Sequence, residues 1–99
     1  MFDYRLSKDA DADLEGIIIY TIETFGFVQA ELYRLSLESG FQRLARDLRI
    51  GRRFETRLGA FRKYSCESHV IFYVEDDKGI LIVRILHSAM DFVRHLPKE

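Results

Sequence analysis

The 99 residues contain one cysteine, one proline and no tryptophan. With Cys66 alone, neither an internal disulfide framework nor a cysteine-based metal site is possible, and a reduced, cytoplasmic protein is expected. No run approaches the ~20 consecutive apolar residues that a membrane span needs. The opening Met1-Phe2-Asp3-Tyr4-Arg5 lacks the basic start and apolar centre of a secretory signal. His69, His87 and His95 do not have metal-ligand spacing, no glycine-rich phosphate loop is present, and no cofactor is implied. Linkers, repeats and low-complexity tracts are also missing, so residues 1–99 read as a single domain around one core.

Charge is abundant but unevenly placed. Residues 1–31 carry seven acids against Arg5 and Lys8, a net of −5. Residues 41–64 carry eight bases against Asp47 and Glu55, a net of +6. The basic stretch either meets an anionic partner or is a solvated helix end followed by a basic loop.

Phe2 to Leu6 alternates apolar and polar residues, as a short strand does. Ser7 offers a capping oxygen to a helix, with Asp9 and Asp11 in its favourable first turn. Ala10, Leu14, Ile17, Ile18, Thr21, Ile22 and Phe25 then recur at steps of three and four, and Gly26 stops the helix in a left-handed conformation. A second helix is expected from about Val28 towards Leu48, burying Ala30, Tyr33, Leu37, Phe41, Leu44, Ala45 and Leu48. Gly16 and Gly40 would each cost about 1 kcal/mol inside these helices unless they allow close helix–helix approach. Gly51-Arg52-Arg53 reads as loop. Three strands follow, at Phe61–Tyr64, His69–Val74 and Ile80–Leu86, and Ser88 and Asp91 have the spacing to start a short terminal helix. The expectation is an α+β domain, β-α-α-β-β-β, with a helical hairpin packed on a small, mostly antiparallel sheet.

Several segments together resemble the ParE toxins of the RelE/ParE toxin–antitoxin superfamily. They are Tyr4-Arg5-Leu6-Ser7, Asp13-Leu14, Ile17, Tyr20-Thr21, Phe25-Gly26, Gln29-Ala30, Tyr33, Leu44-Ala45 and Gly51-Arg52. His69-Val70-Ile71-Phe72-Tyr73, Arg84-Ile85-Leu86-His87 and Met90-Asp91 complete the match, which runs almost end to end. The resemblance implies the RelE/ParE-like fold and the toxin of a type II toxin–antitoxin system, one that inhibits DNA gyrase and is neutralised by a ParD-like antitoxin. It departs from the family at Asp47-Leu48-Arg49, where relatives commonly end the second helix with Asn-Pro, so this helix is free to run further.

Two chemistries compete for the polar residues. A RelE-like ribosome-dependent mRNA endoribonuclease would use Arg62 and Arg84 to hold phosphate and His87 to move protons, with Glu55 as a base if its loop folds inward. Alternatively Arg84 pairs with an acid such as Asp91, His87 bonds to the terminal helix, and there is no catalytic residue. Under that reading Arg52, Arg53, Arg57, Arg94 and His95 are candidate target contacts, while Phe92 and Leu96 cover the sheet. Sequence-specific DNA binding is not expected, since no aromatic residues interleave the bases. The resemblance further implies an antitoxin segment against the helical hairpin. Val28, Leu32 and Leu35, off the buried face, form an apolar strip for it, and Asp11 and Glu15 suit a basic partner helix.

Overall fold

The computed structural model describes residues 3–57 and 59–97, so Phe2 lies outside the described residues. The elements are β1 (Asp3–Leu6), α1 (Lys8–Phe25), α2 (Phe27–Arg46), β2 (Arg52–Thr56), β3 (Gly59–Cys66), β4 (His69–Asp76) and β5 (Gly79–His87), followed by a 3-10 turn at Phe92–Arg94. They form one five-stranded sheet in the order β1-β5-β4-β3-β2, antiparallel except where β1 runs parallel to β5. No helix among the described residues is long and apolar enough to cross a membrane.

Local chemistry sets the helix ends. Ser7 Oγ accepts from the Ala10 amide at 3.0 Å and donates to the Val83 carbonyl at 2.9 Å, so one hydroxyl caps α1 and ties it to β5. Gly26 joins the helices at φ +93°, ψ 170°, a positive φ but with extended rather than left-handed ψ. α2 ends at Arg46 even without proline, because Asp47 leaves helical geometry at φ −141°, ψ 94°.

The core of α2 follows its periodicity: Ala30, Leu37, Phe41, Leu44 and Ala45 are buried, and Tyr33 and Leu48 are half-buried. Ala10, Leu37, Phe41 and Leu44 pack on Ile71, Tyr73, Ile80, Ile82 and Ile85 of the sheet. The opposite sheet face buries Phe61, Val70, Phe72, Val83 and Leu86 under Leu96 and Phe92, so the tail closes a second apolar layer.

Four sequence expectations are corrected. Ile22 and Phe25 are exposed, because the tip of the hairpin overhangs the sheet. Gly16 and Gly40 do not mediate helix–helix contact: a Cβ at Gly16 would meet nothing, and Gly40 faces Cys66 and Ile71 of the sheet. Arg52–Thr56 is a strand rather than loop; it pairs with β3 from Arg52↔Lys63 to Thr56↔Gly59 and carries Glu55 on the sheet edge. No helix starts at Ser88, whose amide bonds to the Ser68 carbonyl at 3.0 Å; the terminal turn begins at Phe92.

Candidate functional site

Polar chemistry concentrates where β5 emerges beyond the end of β1. Tyr73 pairs with Ile82 and Phe72 with Arg84, leaving Val83 as an extra residue that interrupts strand alternation. β1 stops at Leu6, opposite Ile82, so Arg84 lies on a stretch of β5 that β1 does not cover. Its Nε and Nη2 donate to the two carboxylate oxygens of Asp13 on α1 at 2.7 and 2.9 Å. The Ile85 amide adds a third bond to Asp13 at 2.9 Å, and Arg84 Nη1 donates to the His95 carbonyl at 2.7 Å. Both charged side chains are less than a fifth exposed. The bidentate carboxylate holds the Arg84 proton more firmly than usual, against a smaller effect of burial. The partner is therefore Asp13 and not Asp91.

Arg84 and His87 line one cavity of about 350 Å³ with Asp13, Tyr20 and His69, and Arg62 is not among its lining residues. Arg62 stands opposite Tyr73 on the hairpin side of β3 and donates to the Gly51 carbonyl at 2.8 Å. Arg84 stands opposite Phe72, and β4 separates the two strands by about 10 Å in all. His87 is exposed, and its Nδ1 accepts from the Ala89 amide at 3.1 Å, closing the turn after β5.

A second polar group lies near the tip of the hairpin, close to the Gly26 joint. Tyr33 of α2 accepts from the Ser68 amide at 3.1 Å, and its hydroxyl shares a hydrogen bond with His69 Nδ1 at 2.6 Å. His69 and His87 are cross-strand partners with ring centroids 5.4 Å apart. Burial, reinforced by His87, lowers the His69 pKa, and Asp13 opposes the shift. With Tyr20, Phe25 and Gln29 these rings line a cleft of about 460 Å³. Nothing in the sequence spacing joins Tyr33 to His69; the contact exists because α2 crosses the turn between β3 and β4.

The hairpin also exposes much apolar surface. Phe27 and Val28 are 72% and 74% exposed, Leu32 and Leu35 55% and 49%. Leu32 and Leu35 form one wall of a groove of about 420 Å³ whose other side is Tyr64, Cys66 and Glu67. Burial, with Glu67 nearby, raises the Cys66 thiol pKa against the pull of Arg43, and the side chain packs against the hairpin-side core.

Comparison with known proteins agrees with this architecture. Residues 4–92 match the family described as the ParE toxin of the type II toxin–antitoxin system parDE. The chain belongs to the ParE toxin family. It is 39% identical over 94 residues to Toxin ParE1 of Mycobacterium tuberculosis, covering 94% of this chain and 96% of that one. It is 36% identical over 97 residues to Toxin ParE of Escherichia coli, covering 97% and 94%. A solved structure, the chromosomal ParDE TA system from P. aeruginosa, superposes with a TM-score of 0.75 at 19% identity, over 88% of this chain and 96% of that one. At that identity the superposition speaks for the fold.

Against this ParE frame the remaining site candidates fall on separate surfaces. Asp11 and Glu15 are exposed on α1, and no ion pair involves them among the described residues. Arg52 and Arg53 sit on β2, the free edge of the sheet, with Arg53 paired to Glu55 at 2.8 Å, and Arg57 lies in the following turn. Arg94 and His95 are exposed in the tail, and the His95 carbonyl is held by Arg84. Sequence reasoning missed the clasp on Asp13. The available signal was an acid three residues after Ala10 and four before Ile17, on the core stripe of α1, where a carboxylate needs a cation.

Proposed function

We propose that this ParE-family toxin inhibits DNA gyrase by binding, without a catalytic residue of its own, and that a ParD-like antitoxin silences it by covering the α1–α2 hairpin. The observation that carries the non-catalytic reading is the engagement of Arg84. A nuclease needs that guanidinium free to meet a scissile phosphate, and here Asp13 and the His95 carbonyl occupy it. Arg62 is likewise turned to Gly51. The RelE-like alternative would need both bonds broken first.

The antitoxin reading rests on family membership and on the apolar surface of the hairpin. Val28, Leu32 and Leu35 would receive the apolar face of a partner helix, with Asp11 and Glu15 meeting its basic flank. The P. aeruginosa structure of the same fold is a chromosomal ParDE system, which supports a ParD-type partner. Arg94 and His95 on the tail are assigned to gyrase contact, and Arg52, Arg53 and Arg57 beside it to gyrase or to the DNA it holds.

The test is a supercoiling and DNA-cleavage assay of bacterial gyrase with the antitoxin-free protein. Supercoiling should stop and cleaved DNA accumulate, and antitoxin should reverse both. Unaffected gyrase together with cleavage of ribosome-bound mRNA would overturn the reading. Alanine at both Arg62 and Arg84 separates the chemistries further: a nuclease would lose orders of magnitude in rate, a binder would lose affinity.

A further inference from the structure

The arginines of this chain divide into two populations. Arg5, Arg34 and Arg84 are ion-paired, with Asp76, with Glu31 and Glu38, and with Asp13. Arg53 is, among the described residues, the one arginine of the basic stretch in an ion pair, with Glu55. Among the described residues no carboxylate pairs with Arg43, Arg46, Arg49, Arg52, Arg57 or Arg62, nor with Arg94 of the tail. Every arginine left without an acid thus comes from residues 43–62 or from the tail.

The fold gathers these onto one flank. Arg43 donates to the Tyr64 hydroxyl at 3.1 Å, which sets the end of α2 against β3. The connection from Asp47 to Gly51 then crosses Tyr73, whose hydroxyl donates to the Leu48 carbonyl and accepts from the Gly51 amide, and it delivers Arg52 to the free edge of the sheet. Phe54 of β2 packs edge-on against Phe92, ring centroids 6.2 Å apart, and so brings the tail with Arg94 beside the strand. Lys63, opposite Arg52 on β3, lies 4.9 Å from the Phe54 ring centre and adds another cation.

What the flank lacks identifies its partner. From residue 36 to residue 62 the only large apolar side chain exposed among the described residues is Ile50, at 37%. The other exposed apolar residues are on the hairpin and at Met90 and Val93. Protein interfaces depend on buried aromatic and aliphatic anchors, and among the described residues this flank offers arginines with only Ile50 and, on the tail, Val93 as exposed apolar side chains. Cations without a carboxylate partner at the two ends of an exposed strand, Arg52 and Arg57, fit an array of phosphates.

We infer that the β2 edge and the adjoining end of α2 form a sequence-independent docking surface for the phosphate backbone of duplex DNA. A five-residue strand is about 17 Å long, and a duplex presents one phosphate charge per ~1.7 Å, so the edge runs beside roughly ten of them. The choice of DNA over RNA rests on the gyrase reading, because gyrase works on duplex DNA. The contact itself needs no gyrase, so the two can fail separately.

The experiment is fluorescence anisotropy of the antitoxin-free protein with two unrelated 20-base-pair duplexes across a salt series, gyrase absent. If the exposed Arg46, Arg49, Arg52 and Arg57 each neutralise a phosphate, log K falls against log salt with a slope of about −3.6, and affinity drops on the order of 100-fold between 50 and 200 mM. Both duplexes should bind alike. The double substitution Arg52→Gln and Arg57→Gln should flatten the slope by about 2, while Lys78→Gln, on the turn between β4 and β5, should leave it unchanged. Circular dichroism and antitoxin binding of each variant confirm that it folds. No binding at 50 mM salt would overturn the inference. So would a double variant indistinguishable from Lys78→Gln, or an RNA duplex that binds tenfold tighter than DNA.

Discussion

Replacing Asp13 with alanine should be among the most damaging single changes on the helical hairpin. It removes two of the three acceptors of Arg84 and the acceptor of the Ile85 amide, and leaves a partly buried guanidinium with only the His95 carbonyl. Breaking a fully buried pair costs about 3–5 kcal/mol. This pair retains some solvent contact, and we expect about 2–3 kcal/mol. In a chain of this length that lowers Tm by roughly 10–20 °C. Arg84→Met should cost a similar amount, and the double variant should show a coupling of at least about 1.5 kcal/mol in a thermal or urea double-mutant cycle. Hydrogen exchange supplies a readout that a purely local loss would not move. The His95 and Leu96 amides, bonded to the Phe92 carbonyl at 3.0 and 3.1 Å, should exchange faster once Arg84 no longer holds the tail. A loss below about 0.5 kcal/mol, strict additivity, or unchanged exchange at these two amides would refute the reasoning.

Tyr73→Phe should cost about 1–3 kcal/mol in denaturant unfolding, because it strips the buried Gly51 amide and the Leu48 carbonyl of their partner. Gly51→Ala should be destabilising as well, since its Cβ would stand 2.7 Å from Tyr73 Cε1. The lowered pKa of His69 makes the unfolded chain the first to take up a proton. Its effect on stability is therefore nil well above pH ~6.5 and turns unfavourable as pH falls through that value. The urea midpoint should drop between pH 7.5 and 5.5 by more in the natural protein than in His69→Gln, and parallel profiles would refute this. Aspartate at both Leu32 and Leu35 should change stability by less than about 1 kcal/mol, since both are exposed. If the antitoxin helix lies there, calorimetric titration should show affinity falling at least 100-fold.

The parts of the fold that were legible in the sequence are those that repeat. Ala30, Leu37, Phe41 and Leu44 recur at helical spacing because one side of α2 meets the sheet along its length, and Ile80 to Leu86 reads as a buried strand because both of its faces are covered. β2 was not legible: in Arg52-Arg53-Phe54-Glu55-Thr56 one neighbour is β3 and the other is solvent, so no residue there is fully buried and the alternation is muted. Periodicity also extended the core to Ile22 and Phe25, since a pattern along the helix carries no information about where the sheet beneath it stops. The clasp eluded sequence reasoning for another reason. Asp13 and Arg84 are 71 positions apart, and which of the chain's many acids meets that arginine depends on the crossing of α1 over the end of β1. Arg84 itself stood out, as a cation closing an apolar run, but its chemistry could not be read without its partner.

The parallel pairing of β1 with β5 has a consequence for the order in which the molecule is made. Asp3 finds its partner only at Gly79, and α1 gains its tie to the sheet only when Val83 and Arg84 exist. A chain emerging from the ribosome therefore carries the helical hairpin, with its exposed apolar strip, well before it has a second strand to anchor β1 or a tail to seal the far face. Contacts of such long range close late. If the strip is where antitoxin binds, the surface for restraint is displayed early in synthesis, and the tail proposed to do harm is held in place only at the end.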